Sequence, residues 1–267
     1  MGRFAVLLLA LLMGTAAASA QVAVYAAGSL LAPLTEAARL FESEAQGHKL
    51  DLVFGASGLL RDRIVQGEPA QVFASANMEH PQALAATGGW LPVRAFTRNA
   101  LCALAPKSLG LTSATLARRL LDPAIRVGTS TPRADPSGDY AFELFARIGA
   151  QPDAPPGARQ ALEAKALQLT GGPNSPPPPS GRNVYGALVA QGAADVFITY
   201  CTNAVQAVEE QPDLQMVAVP PQLNVGADYG LTVRRGAAPA AQAFAALLLS
   251  VRGREILAKY GFQEVAP

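Results

Sequence analysis

The sequence predicts an α/β fold with largely parallel sheets, arranged in two lobes. Strand-like and helix-like segments alternate almost throughout. The alternation restarts near Ala100, where an apolar strand follows a polar stretch. Two early segments, VAVYAAGSL over 22–30 and LVFGASGL over 52–59, each run from a strand through small residues to a serine that opens a helix.

The elements follow in order. Residues 1–20 read as a cleaved leader: Arg3 supplies a short positive region, 4–13 are apolar, and Ala18, Ser19 and Ala20 form an A-x-A cleavage signal before Gln21. The apolar run is shorter than the roughly 20 residues a bilayer span requires. After Ser29, Leu34, Ala37, Ala38 and Phe41 recur at helical spacing, with Pro33 in the first turn and Gly47 as the expected stop. A strand over 50–54, a helix over 59–66, a strand over 72–76 and a helix over 81–86 complete repeated βαβ units.

From Ala100 the second lobe begins with a strand over 100–105, a helix led by Ser113 and a strand over 125–128. The next helix opens at Pro136-Ser137-Gly138-Asp139 and stops at Gly149, and 158–169 carry a helical pattern. Four consecutive prolines within 171–182 predict an extended loop that leads into a short helix at Asn183-Val184. Strands over 194–199 (ending in Tyr200), 214–219 and 228–234 follow, and 239–262 read as a helix broken at Gly253.

Composition narrows the function classes. Half the residues are hydrophobic and 15% are charged, which excludes a disordered chain. Loss of the leader removes Arg3 and leaves a formal net charge of zero, which argues against nucleic acid as partner. The two cysteines, Cys102 and Cys201, are expected to pair in an oxidising compartment; two separate buried thiols are the alternative. Two histidines, His48 and His80, share no ligand spacing with them, so no metal site is expected.

The serine turns carry the chemistry. Helix starts present unpaired N–H groups and a positive dipole end, so a serine there can help hold an oxyanion without a charged side chain. Ala27, Gly28, Gly55, Ala56 and Gly58 would leave the turn surface open to a ligand. The plain alternative is that each serine is a helix N-cap. A serine hydrolase is the enzyme rival, with Ser29 or Ser57 as nucleophile. GASG over 55–58 lacks the G-x-S-x-G spacing of a nucleophile elbow, and both histidines read as solvated surface residues. Asp135 and Asp139 read as caps on a solvated face. Tyr200, at the carboxyl end of a strand, stands where open α/β sheets take ligands; a half-buried core tyrosine is the alternative.

As a set, VYAAGSL over 24–30, FGASGL over 54–59, VFASAN over 72–77, Ser137-Gly138, Asn183-Val184, ITY over 198–200 with Asn203-Ala204, and KYGF over 259–262 resemble the periplasmic molybdate-binding proteins of ATP-driven (ABC) uptake systems. The resemblance implies a two-lobed type II periplasmic-binding-protein fold, each lobe a mostly parallel sheet flanked by helices. It implies a binding protein, not an enzyme, holding molybdate or tungstate between the lobes without a cofactor. Ser29 and Ser57 would give Oγ–H and N–H, Ser137 and Val184 their N–H groups, and Tyr200 its hydroxyl. Lobe one is expected over 21–99 with 228–267 and lobe two over 100–227, with the hinge in strands 100–105 and 228–234. A Cys102–Cys201 bond would brace lobe two beside Tyr200. The partner implied is a membrane ABC permease, and the protein is expected to be a periplasmic monomer. Three departures bear on the ligand: the long proline stretch, serine at 137 where alanine is common, and Gly230 in place of a proline. A same-fold binder of sulfate or another small anion is the alternative.

Overall fold

The computed structural model describes residues 21–45, 48–177 and 181–265; the leader, Gly47 and part of the proline run fall outside the described residues. The chain begins with β1 (Gln21–Ala27), α1 (Leu31–Glu44), β2 (Lys49–Gly55), α2 (Ser57–Val65), β3 (Val72–Ser75), α3 (Glu79–Ala86) and β4 (Arg94–Asn99). It continues through β5 (Leu101–Pro106), α4 (Leu116–Leu121), β6 (Val127–Ser130), α5 (Pro136–Gly149), α6 (Ala158–Lys165), β7 (Leu167–Thr170), α7 (Val184–Ala190), β8 (Val196–Tyr200), α8 (Cys201–Glu210) and β9 (Leu214–Ala218). It returns along β10 (Ala227–Val233) and ends in α9 (Pro239–Leu249) and α10 (Val251–Lys259).

Two five-stranded sheets form, in the orders β2-β1-β3-β10-β4 and β7-β6-β8-β5-β9. Both are mixed. The parallel pairings join β1 to β2 and β3, and β6 to β7 and β8, while β10 and β5 run antiparallel to both of their neighbours. β5 enters its sheet directly from the end of β4, and β10 re-enters the first sheet from the second lobe, so each runs against the βαβ strands it joins. The central strands read as continuous apolar runs because helices cover both sheet faces; β8 is buried at all five positions.

α1 follows the helical spacing of its apolar residues: Pro33, Leu34, Ala37, Ala38 and Phe41 are buried, and the Phe41 ring meets Phe244 of α9 edge-on at 5.6 Å. Leu34 and Phe41 each contribute roughly 1.5–3 kcal/mol of burial. The C-terminal helices thus complete the first lobe. Asn99, at the crossing between the sheets, donates through Nδ2 to Thr202 Oγ1 at 2.9 Å and to the Tyr229 hydroxyl at 3.3 Å.

Several elements differ from the sequence expectation. β4 was not apparent in RAFTRN, whose charged residues sit on an edge strand that pairs only with β10. α8 was also missed. The helical pattern over 158–169 stops at Lys165, where the ammonium donates to the carbonyl of Leu120, and Leu167–Thr170 instead pairs with β6. Thr112, not Ser113, caps the turn before α4 through a reciprocal bond with Thr115. The C-terminal break falls at Ser250, whose Oγ accepts from Gly253 N at 3.2 Å; Gly253 lies inside α10, and a Cβ there would stand 2.2 Å from Leu247 O. Gly230 has a similar reason: its Cβ would meet Pro81 Cγ at 2.7 Å, so glycine lets the start of α3 lie against β10.

Cys102 and Cys201 form a disulfide, S–S 2.07 Å, tying β5 to the first residue of α8, next to Tyr200.

Candidate functional site

The turns after β1 and β2 open toward the second sheet. Ser29 lies in a 3-10 turn, Gly28–Leu30, and Ser57 is the first residue of α2; neither helix is capped by a side chain. The N-cap alternative is therefore excluded for both. Ser57 Oγ accepts from Ala76 N at 3.1 Å, which leaves its own hydrogen free to donate. Ser29 Oγ shares a 2.9 Å hydrogen bond with the Tyr229 hydroxyl, itself held by Asn99.

From the second sheet come Tyr200, at the end of β8, and Val184, the first residue of α7. Asn183 caps α7, its Oδ1 accepting from Gly186 N at 3.0 Å. Tyr200 is 2% exposed and donates to Ala76 O at 3.3 Å. Burial raises the phenol's pKa well above its ordinary value, so Tyr200 is a neutral donor. Ser29, Ser57, Val184 and Tyr200 all line one cavity of about 620 Å³ between the two sheets.

Ser137 does not join them. It is fully buried, absent from the cavity wall, and its N–H donates to Asp135 Oδ1 at 3.0 Å. Its Oγ has no partner. Asp135 is the N-cap of α5, as its place before Pro136 suggests, yet it stands on the cavity wall and not on a solvated face. Desolvation pushes its carboxyl up to about 6 against the Ser137 N–H and Ser130, which favour the charged form, and nearby Asp139 raises it further. Desolvation likewise raises Asp139. Sequence reasoning also missed Asn203 and Gln206 of α8, and Arg182, as wall residues. The capping pattern made Asp135 visible; only the packing of Gly171 against it reveals its burial, since a Cβ on Gly171 would stand 2.5 Å from Asp135 Oδ2.

Gly58 was expected to leave room for a ligand. Instead it makes room for the other lobe: its N–H donates to Ala134 O at 2.8 Å. Gly28, by contrast, faces open space.

No histidine reaches either serine among the described residues. His80 is buried, not solvated, at 3% exposure; Nδ1 lies 3.2 Å from Arg61, and burial together with the Arg61 charge lowers its pKa. Among the described residues no group of three metal-ligating side chains occurs, and no helix is long and apolar enough to cross a membrane.

The family model of bacterial extracellular solute-binding proteins matches residues 22–263. The chain belongs to this family. A solute-binding protein has no reaction to catalyse, which accounts for serines without a general base. An uncharacterised protein of Pasteurella multocida is 36% identical over 243 residues, 90% of this chain and 97% of that one. The molybdate-binding protein ModA of Rhodobacter capsulatus is 32% identical over 147 residues, covering 53% of this solute-binding protein and 56% of its own length. The periplasmic molybdate-binding protein of Azotobacter vinelandii has the same two-lobed fold, with a TM-score of 0.72 at 20% identity over 92% of this chain and 99% of that one.

Proposed function

We propose that this solute-binding protein captures a tetrahedral oxyanion between its lobes in the periplasm and delivers it to a membrane ABC permease, working as a monomer. In this reading lobe one comprises 21–99 with 228–267 and lobe two 100–227, and the strands leading between them bend on closure. One observation carries it: Ser29 and Ser57 from one sheet and Val184 and Tyr200 from the other converge on a single cavity. All four carry neutral N–H or O–H donors, that of Tyr200 exchanging its bond to Ala76 O for the ligand, and hydrogen bonds to an ionised acceptor are roughly twice as strong as neutral ones. Helix starts supply two of the four positions, Ser57 and Val184.

Molybdate and tungstate are the free oxyanions that the sequence resemblance and the ModA relative favour, with sulfate as the same-charge alternative. Calorimetric titration with molybdate, tungstate, sulfate and phosphate tests the reading. Saturable binding to at least one class of oxyanion is expected. No heat with inorganic or organic oxyanions would show that the cavity serves another kind of solute.

A further inference from the structure

The cavity is larger than a bare tetraoxo anion requires. Five heavy atoms displace about four waters' worth of volume, roughly 120 Å³ at ~30 Å³ each, whereas the solvent-open cleft offers about 620 Å³. That volume lies in the range of pockets that bury small organic molecules, roughly 300–1,000 Å³.

The cavity wall also carries a carboxylate, Asp135. The Gly58 N to Ala134 O contact joins the residue after Ser57 to the residue before Asp135, so the Asp135 segment meets the Ser57 turn across the cleft, and both residues line the cavity. Its Oδ1 accepts from Ser137, and its Oδ2 is packed against Gly171 on the same wall. A carboxylate here repels an unprotonated dianion and accepts a hydrogen bond from an acid hydroxyl. Molybdate and sulfate have no such hydroxyl at neutral pH. A phosphate monoester, whose second ionisation lies near pH ~6, carries one in part of its population. The ionisable groups that interact with Asp135 are Asp139 on α5, Tyr185 on α7, Tyr200 on β8 and Tyr229 on β10, and Arg182 before α7 and Glu210 of α8 also line the cavity. Burial keeps all three tyrosines neutral, while the wall carries one positive side chain, Arg182, and one further carboxylate, Glu210, which accepts from Asn183 N at 2.8 Å. Beyond the serine turns the wall is mixed: Leu31, Phe54 and Leu59 stand beside the polar side chains of Asn203 and Gln206 of α8, which can meet hydroxyl groups.

Resting on the oxyanion reading above, we infer that the solute is an organic phosphate or phosphonate. Its tetrahedral head lies at Ser29 and Ser57 with an acid hydroxyl donating to Asp135, and its hydroxylated tail runs along Asn203, Gln206 and Arg182. Asp135 is then the residue that selects a protonated head over a tetraoxo dianion.

The full chain is titrated calorimetrically with glycerol phosphate, phosphoglycerate and a hexose phosphate against molybdate, tungstate and sulfate. At least one phosphate ester is expected to bind tenfold or more tightly than any of the three inorganic ions. Its affinity should fall between about pH 6 and about pH 8 as the shared proton is lost. Asp135→Asn keeps an N-cap acceptor; it should lower the ester's affinity at least tenfold, flatten its pH profile and strengthen molybdate. Molybdate or tungstate ahead of every ester, or an ester preference unchanged in Asp135→Asn, overturns the inference while leaving the oxyanion site intact. Should the variant not fold, the wild-type ranking and its pH profile decide. Heat from no oxyanion at all would overturn the site itself.

Discussion

Gly58 donates its N–H to the carbonyl of Ala134 at 2.8 Å, a backbone bond from α2 to the turn before α5 across the cleft. A Cβ on Gly58 would stand 2.4 Å from Arg133 O and 2.7 Å from Ala134 O. Neither atom can swing aside, because Arg133 is held at φ 68° with its N–H on Asp139 Oδ1. Gly58→Ala should therefore keep the lobes apart. Ligand affinity should drop at least tenfold, about 1.4 kcal/mol, and the lobe contact seen in this structure should be lost. Titration together with small-angle scattering measures both, and an unchanged affinity would show that closure does not pass through this contact.

Ser57 and Ser137 should behave in opposite ways. Ser57→Ala removes both a ligand donor and the acceptor for Ala76 N, so it should weaken oxyanion binding and cost about 1–3 kcal/mol of stability for the orphaned N–H. Ser137→Ala deletes a buried hydroxyl that has no partner and leaves the N–H to Asp135 intact. It should leave affinity unchanged and stability equal or higher. Paired denaturant and calorimetric titrations of the two variants check this, and a loss of affinity in Ser137→Ala would return that residue to the site.

Reduction of the Cys102–Cys201 bond opens a loop spanning a sequence separation of 99. Chain-entropy reasoning sets the loss at up to about 4.7 kcal/mol for a loop of this length. Since Cys201 follows Tyr200 directly, affinity should fall along with stability. Unfolding and binding measured with and without reductant test the coupling; binding that is indifferent to reduction would remove the bond from any role in placing Tyr200.

The pH dependence has a definite sign. Asp135 is raised to about 6 from an ordinary 3.8, so the folded chain retains a proton that the unfolded chain has released. Its contribution to folding is therefore greatest below the unfolded value and is lost as pH rises through about 6. Asp139, also raised, acts in the same direction, whereas His80, lowered by burial, loses its contribution as pH falls through the window below 6.5. The difference between wild type and Asp135→Asn isolates the first of these: wild type should gain on the variant as pH falls from neutral toward about 5. Melting curves for both proteins across that range would reveal a parallel response if Asp135 did not titrate there.

Much of the first lobe was legible because its segments are locally consistent. β1 is an unbroken apolar run, α1 has its buried residues at i, i+3 and i+4, and the serine turns stand between strand and helix. β4 and α8 were hidden because tertiary pairing and packing determine them more than pattern does. The polar sequence of β4 is an edge strand, and CTNAVQAVEE of α8 begins at a cysteine used for a cross-link. In the candidate site, Ser29, Ser57 and Tyr200 stand out by position along the chain and Val184 through the family resemblance, and all four line the one cavity. The engagement of Ser137 by Asp135 was not legible, since it depends on which of two neighbouring groups faces the cavity. Gly58 behaves differently from its reading for a related reason: a glycine beside a site leaves space, and only the packing decides whether ligand or backbone fills it.

The strand order carries a consequence for synthesis. The second sheet draws all its strands from Leu101–Ala218, a contiguous stretch, whereas the first waits for β10 and for the helix that buries Phe41. A chain made from its amino end can finish the younger segment before the older one. The serine turns, translated first, are among the last parts of the protein to acquire their final support: Tyr229, which holds Ser29, emerges after every residue that lines the cavity.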